Sequence, residues 1–220
     1  MYRLNVLLAV ALTLGLMLAG CDGFGSDNDS ETDALEITAV HENDELRFEL
    51  SDDKIPSGWT TIKLDNETES THFAFLRKAS SEFLDSMRNK HGEVSTEAFL
   101  EVSSIPFQGA WNPYFEGEIK FGTFQANLGA AVPSWFFKHR PIGGPGLVSG
   151  KETARTTQNL APGTYFVECY VLGEDGQFHT LSMAGKLEVT EESSGMSEPQ
   201  PTLRISLDDD GIEGFDPKGA

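Results

Sequence analysis

Apolar and polar positions alternate along much of this chain. Leu35-Glu-Ile-Thr-Ala-Val40 and Leu46-Arg-Phe-Glu-Leu50 keep a period of two, and so does Trp59-Thr-Thr-Ile-Lys-Leu64 after an expected turn at Ile55-Pro-Ser-Gly58. That period puts successive side chains on opposite faces of a half-buried strand. Further strands are predicted at His72 to Leu76, Ala154 to Leu160, Thr164 to Val171 after the Pro162-Gly163 turn, and Gly185 to Val189. One stretch departs from the pattern. Between Ser80 and Val102, the residues Phe83, Leu84, Met87, Phe99, Leu100 and Val102 fall at helical spacing, with Ser80, Ser81 or Thr96 available as N-caps. The predicted fold class is all-β, a sandwich of strands carrying a helical or loop insertion at about residues 80–150.

Residues 105–146 hold Trp111, Tyr114, Phe115, Phe121, Phe124, Trp135, Phe136 and Phe137 among glycines and prolines. A long loop with its aromatics packed over one end of the sandwich accounts for them. A docking surface or the wall of a ligand pocket does so as well.

The N-terminus belongs to a different kind of segment. Arg3 is followed by an apolar run from Val6 to Ala19, the length of a signal-peptide core and shorter than a membrane span. It ends in Leu18-Ala-Gly-Cys21, which resembles the lipobox of bacterial lipoproteins. The resemblance implies a signal peptide over 1–20, cleavage before Cys21 and acylation of its thiol, so that a lipid anchor holds the chain to a membrane. Residues 21–34 then form an acidic tether. Asp22 resembles the inner-membrane retention signal of some Gram-negative lipoproteins. The expected location is the cell envelope, facing the periplasm or the exterior. With Cys21 acylated, Cys169 is the one thiol left of two cysteines, and no intrachain disulfide can form.

Charge changes the picture less than its total suggests. The chain has 35 acidic and 16 basic residues, a net of −19. Residues 35–190 carry −9 of this, while the tether carries −5, residues 191–220 carry −6 and Arg3 adds +1. The acidic balance excludes nucleic acid as a partner, since phosphate binding needs basic patches, and it excludes docking on anionic lipid through charge. The domain is expected to span 35–190. The Ser-, Glu- and Pro-rich stretch from Glu191 onward reads as a linker or acidic tail. Pro201-Thr-Leu-Arg-Ile-Ser-Leu207 alternates like the first strand of a further β-domain.

Several motif-like stretches carry no chemistry. Gly143 to Lys151 has Pro145 where a phosphate loop needs Gly and Glu152 where it needs Ser or Thr, so it reads as a turn into a strand. Asp208-Asp-Asp-Gly211 and Asp27 to Asp33 lack the ligand spacing or central Gly of an EF-hand loop. No Gly-x-Ser-x-Gly elbow, His-Glu-x-x-His helix or Cys-x-x-Cys pair occurs, and no nucleophile is matched to a base, so an enzyme is not expected.

The set that remains is His72, Cys169, His179 and Met183. Two imidazoles, a thiolate and a thioether form a soft, mixed donor set that selects copper, and trigonal His₂Cys with a long axial Met is the blue-copper arrangement. Each residue also has an ordinary reading: Cys169 as a small buried hydrophobe, Met183 as core filler, the histidines as satisfied polar groups. His41, His91 and His139 lie outside the set, and His139, between Lys138 and Arg140, is expected to be exposed.

Ala161-Pro-Gly-Thr-Tyr-Phe-Val-Glu-Cys169, followed by Met183-Ala-Gly-Lys-Leu-Glu-Val189, resembles the C-terminal signature of cupredoxins, the plastocyanin and azurin class. Asn66 with His72 six residues on resembles the plastocyanin-type start. The resemblance implies a Greek-key β-sandwich of cupredoxin type over 35–190 and copper held by His72, Cys169, His179 and Met183. It also implies electron transfer or copper handling with a periplasmic redox or protein partner. The competing expectation is a metal-free cupredoxin-fold module that binds a partner through the aromatic insertion. One departure matters. Nine residues, Tyr170 to Phe178, separate Cys169 from His179, where the electron-transfer members have only a few. A loop of that length is expected to give up the compact rigidity that suits fast electron transfer.

Overall fold

The computed structural model describes residues 34–43, 45–200, 206–208 and 211–213. The signal-peptide, Cys21 and tether expectations lie outside the described residues. Among those described, no helix is long and apolar enough to cross a membrane.

Two sheets share one strand. The first has β2 (Glu45–Leu50) antiparallel to β1 (Ala34–Glu42), which runs parallel to the second half of β3 (Lys54–Asn66). β5 (Thr153–Leu160) closes this sheet antiparallel to β3. In the second sheet the first residues of β3 run parallel to β7 (Ala184–Ser193), β7 pairs antiparallel with β6 (Gly163–Glu168), and β6 with β4 (Phe75–Lys78). The stretch Ile55 to Gly58, expected as a turn, is the point where β3 changes sheets. Pro56 cannot donate to a ladder, the register shifts between Pro56 and Ser57, and Gly58 takes φ +107° where a Cβ would lie 2.9 Å from Ser194 Oγ. The period-two strands behave as expected: Leu35, Ile37, Ile62, Leu64, Tyr165, Val167, Leu187 and Val189 fill the space between the sheets.

β6 buries both faces. Tyr165, Val167 and Cys169 point into the sandwich, while Phe166 points out and packs under the insertion, where it meets Phe83, Met87, Phe99 and Trp135. Phe83 stacks on Trp135 at 3.9 Å between ring centroids and Phe99 on Phe166 at 4.6 Å. The insertion supplies α1 (Ser81–His91), the short α2 (Thr96–Phe99), a π-helical turn (Leu100–Ser104), α3 (Ile105–Phe115) and α4 (Phe121–Ala131). Ser80 caps α1 through Phe83 N at 3.2 Å. The cap of α2 is Ser95, not Thr96, its hydroxyl accepting from Ala98 N at 3.2 Å.

Residues 105–131 are therefore two helices, where a long loop was one expectation. Glycines and prolines lower helix propensity, but Pro106 sits in the first turn, where no intrahelical donor is needed. Burial of Ala110, Phe124, Leu128 and Val132 between α3 and α4 outweighs what the glycines cost. After the helices the chain returns beside β4. Ile142 N donates to Leu76 O at 2.8 Å, Ala74 N to Pro145 O at 3.1 Å, and His72 and Val148 exchange bonds at 3.0 and 2.7 Å. Gly143 to Lys151 is thus an irregular edge alongside β4 that ends in the turn at Lys151, φ +65°.

Two boundaries move. β7 continues to Ser193, and Ser194 bonds Ser57 O through its backbone N at 2.7 Å and Trp59 O through its hydroxyl at 2.8 Å, so the sandwich extends past the expected linker start at Glu191. Near the C-terminus, β8 (Ser206–Asp208) pairs antiparallel with β9 (Gly211–Glu213). The remainder of the strand expected over 201–207 lies outside the described residues.

Candidate metal centre

The parallel strands β1 and β3 finish together at one end of the sandwich, with Ala39 opposite Asn66. β6 delivers Cys169 to the same end, and β7 departs from it just after Met183. Sequence separations of about a hundred residues therefore collapse into a few ångströms.

Asn66 organises the surroundings of His72. It is fully buried, and its amide donates to Ser70 O at 2.7 Å and to Val148 O and Ser149 O, both at 3.0 Å. That pins the strand end to the edge segment that bridges His72. Thr68 completes the arrangement. Its hydroxyl hydrogen goes to Asn66 Oδ1 at 2.9 Å or Ser70 O at 3.2 Å, both pure acceptors, so the oxygen faces His72 Nε2 at 2.9 Å as an acceptor. The imidazole of His72 must then carry its hydrogen on Nε2, which leaves the Nδ1 lone pair free. Burial brings the pKa of His72 down to about 4, with His179 beside it adding to the fall.

His72 Nδ1 lies 3.1 Å from His179 Nδ1, and Cys169 Sγ lies 3.8 and 4.0 Å from these two nitrogens. A point about 2.0 Å from both nitrogens in the plane of the three atoms falls about 2.3 Å from the sulfur, the metal–nitrogen and metal–thiolate distances of a first-row ion. One proton would bridge only the nitrogen pair; a cation serves all three donors together. His72, Cys169 and His179 are the one such group among the described residues. Met183 is fully buried in the same core, its backbone O accepting from Cys169 N at 3.2 Å and its N donating to His179 O at 2.7 Å. All four residues named from the sequence thus gather at one end of the sandwich, and the donor set fits copper.

The thiol is inside the protein, with no exposed surface. Burial pushes its pKa up, the backbone N–H groups of Phe73 and Val171 pull it down, and Glu168 adds to the rise. Glu168 faces the other side of β6. There it is itself buried, bonded to Arg77 Nε at 2.6 Å, with Arg77 also donating to His139 O. A buried carboxylate thus stands one residue from the thiol, neutralised by the guanidinium of Arg77 in β4, which the insertion holds through His139 O; loss of that guanidinium would leave an uncompensated buried charge. His139 is half-buried rather than exposed, 5.8 Å from both the Phe83 and Trp135 rings. Burial lowers its pKa, with Arg77 contributing.

The loop from Cys169 to His179 is a small hairpin rather than a slack connection. His179 N donates to Val171 O at 2.9 Å and Gly173 N to Gln177 O at 2.8 Å, while Leu172 bridges Phe178. His179 is half-buried and opens on a concave surface lined by His41, Glu45, Glu69, Glu174 and Asp175. Burial lowers its pKa, with Asp175 opposing. His41 lies outside the motif in sequence yet lines the same concavity. His91 sits elsewhere, 3.3 Å from Glu101.

Thr68 and Gln108 are the functional residues that the sequence did not single out. Thr68 stood between Asn66 and His72, and an Asn-x-Thr run before a ligand is a usable signal. Gln108, far along the chain in α3, had none. The tryptophans on which a docking role for the insertion would rest are largely internal, Trp135 buried at 1% exposure and Trp111 half-buried.

Two sheets sharing a strand, with a buried His-Cys-His triangle at one end, make this a cupredoxin-like β-sandwich with a helical insertion. No family model matches the chain, and no curated protein matches it. Among solved structures, auracyanin A, a "blue" copper protein from Chloroflexus aurantiacus, aligns at 22% identity over 71% of this chain and 98% of its own, TM-score 0.37. A reduced auracyanin from Roseiflexus castenholzii aligns at 17% over 72% and 98%, TM-score 0.36. Rusticyanin from Thiobacillus ferrooxidans aligns at 12% over 71% and 76%, TM-score 0.36. At these scores the strand register and the donor triangle carry the assignment of fold, and the alignments add no weight of their own.

Proposed function

We propose that one copper ion would be held by His72, Cys169 and His179, with the buried Met183 thioether as a weaker fourth donor, and that this chain carries electrons to and from a redox partner in the cell envelope. The observation that supports this is the donor triangle: two imidazole nitrogens and a thiol sulfur, buried and spaced for one small soft ion. Bound copper would supply a one-electron couple at that point.

The protein's own residues do the rest. Thr68 holds the His72 tautomer, and the N–H groups of Phe73 and Val171 stabilise the thiolate. The β6–β7 pairing keeps Met183 in the core beside Cys169. His179, the half-exposed ligand, is the exit toward a partner. Storage or delivery would require ligands that open for release; two of the three donors here, His72 and Cys169, have no exposed surface, which favours electron transfer over either. We assign the Cys21 thiol as the lipid attachment that keeps the domain at a membrane surface, with 22–34 as its tether.

Adding Cu(II) to the reduced full chain should give a stoichiometric complex with an intense visible thiolate-to-copper band that is absent in Cys169→Ser. A wild-type chain that takes up no stoichiometric copper and shows no such band would remove the metal reading. The tether is checked separately, by loss of the chain from the membrane fraction in Cys21→Ser.

A further inference from the structure

The long Cys169–His179 loop is held from outside by the helical insertion. Gln108 of α3 is buried and clamps the tip and returning arm of the hairpin, donating through Nε2 to Gly176 O at 3.0 Å and accepting at Oε1 from Phe178 N at 2.8 Å. Its own orientation is set by Asn112 one turn on, whose Oδ1 accepts from Nε2 at 2.6 Å. Ser104, at the end of the π-helical turn, shares a hydrogen bond with Thr180 at 3.0 Å, and both residues have no exposed surface. The side chain of Phe178, next to His179, is caged by Phe107 at 5.0 Å and Trp111 at 5.2 Å between centroids. Phe115 lies against the loop tip, where a Cβ on Gly176 would come within 2.3 Å of its ring. The residues on both sides of His179, Phe178 and Thr180, are thus each bonded to the insertion.

We infer that α3 and the π-helical turn before it serve as the rigid cover of the metal loop, with Gln108 the positioning residue that sets where His179 presents Nδ1. The physical need is plain. A ligand must be held to about half an ångström to keep a defined site, and a hairpin of this length has no core of its own. Ser104 and Gln108, four residues apart, share the helix face turned to the loop, and the π-helical turn ends at the first of them; such single-turn widenings are common beside functional sites. The role in ligand geometry rests on the copper reading; the grip on the loop does not.

The test uses the full chain as wild type, Gln108→Leu, Gln108→Glu and Phe115→Ala. In copper-free protein, amide hydrogen exchange over 170–183 should speed by about tenfold in Gln108→Leu, the loss of one or two buried hydrogen bonds, while the β1–β3 amides keep their protection. In the copper-loaded protein the same variant should release copper to a chelator faster and change the shape of the thiolate-to-copper spectrum. Gln108→Glu, which keeps the acceptor for Phe178 N–H, should recover part of both. Phe115→Ala removes a half-exposed ring and leaves the cores intact. It should accelerate exchange at 173–178 alone, and it decides the matter if Gln108→Leu does not fold. Unchanged loop exchange in these variants overturns the inference, as does loss of protection spread evenly over all strands. A wild type without a thiolate band would end the copper reading, while the exchange comparison would still decide whether the insertion holds the loop.

Discussion

The two histidines of the site are held in opposite ways. His72 is buried, bridged to Val148 by the main chain and locked at Nε2 by Thr68, all within the sandwich or its edge. His179 is half-exposed on a nine-residue hairpin, and much of what fixes it comes from α3 and the π-helical turn. One histidine is placed by the β-fold; the other depends on an element inserted into it. Such a division gives a site with one immovable donor and one whose stiffness the insertion can set without disturbing the sandwich.

The largest expected effect lies on the His72 side. Its native pKa of about 4 stands below the unfolded value of 6.5, so the unfolded chain binds more protons between these two values. Copper-free protein should therefore be fully supported by this group above about pH 6.5 and should lose stability as pH falls toward 4, by up to about 3 kcal/mol. Denaturant titrations across that range check it. The slope should shrink in His72→Gln, leaving a smaller dependence from His139 and His179, which burial also lowers. A slope unaltered by His72→Gln would place the sensitivity elsewhere.

Next comes Thr68→Val, which keeps the shape and removes the Nε2 partner of His72. Loss of such an outer-shell bond typically costs about 10–100-fold in metal affinity, and competition with a chelator reads it. Exchange over 170–183 should stay as in wild type, because nothing on the His179 side has changed. If loop exchange rises as well, the two histidines are not independently held.

The smallest effect belongs to Gly176→Ala. Gly176 takes φ +80°, and a Cβ there would drive into Phe115. Backbone strain alone predicts about 1 kcal/mol of destabilisation, with loss of the Phe115 contact felt as faster exchange at the loop tip. His72 should keep its lowered pKa in this variant, as a proton NMR titration of the copper-free protein would show.

Much of the sandwich was legible because period-two alternation is a local property that survives folding. Leu35, Ile37, Ile62 and Leu64 could be assigned to the core from the pattern alone. The exceptions have physical causes. Ile55 to Gly58 carries turn residues yet forms the bend that lets β3 serve two sheets, and a turn and a sheet-crossing bulge use the same residue types. The helices at 105–131 were hidden by glycines and prolines, whose cost is offset by aromatic and aliphatic packing between α3 and α4 that no window of sequence contains. Glu168 alternates with the core residues of β6, yet it is buried on the outer face of that strand, with Arg77 of β4 as its counter-charge, a pairing that no local pattern contains.

The identities of the candidate donors were in the sequence: His72, Cys169, His179 and Met183 are residue types that together suit a soft metal. Their distances were not. Whether His72 and Cys169, 97 residues apart, meet at 3.8 Å depends on strand register, which is set by the packing of both sheets together. How stiffly His179 is held depends on Gln108 and Ser104, whose side chains reach the loop only because the insertion packs on Phe166 across the back of β6. Composition and spacing name the atoms that can bind; only the packed chain decides which of them share a point and how firmly.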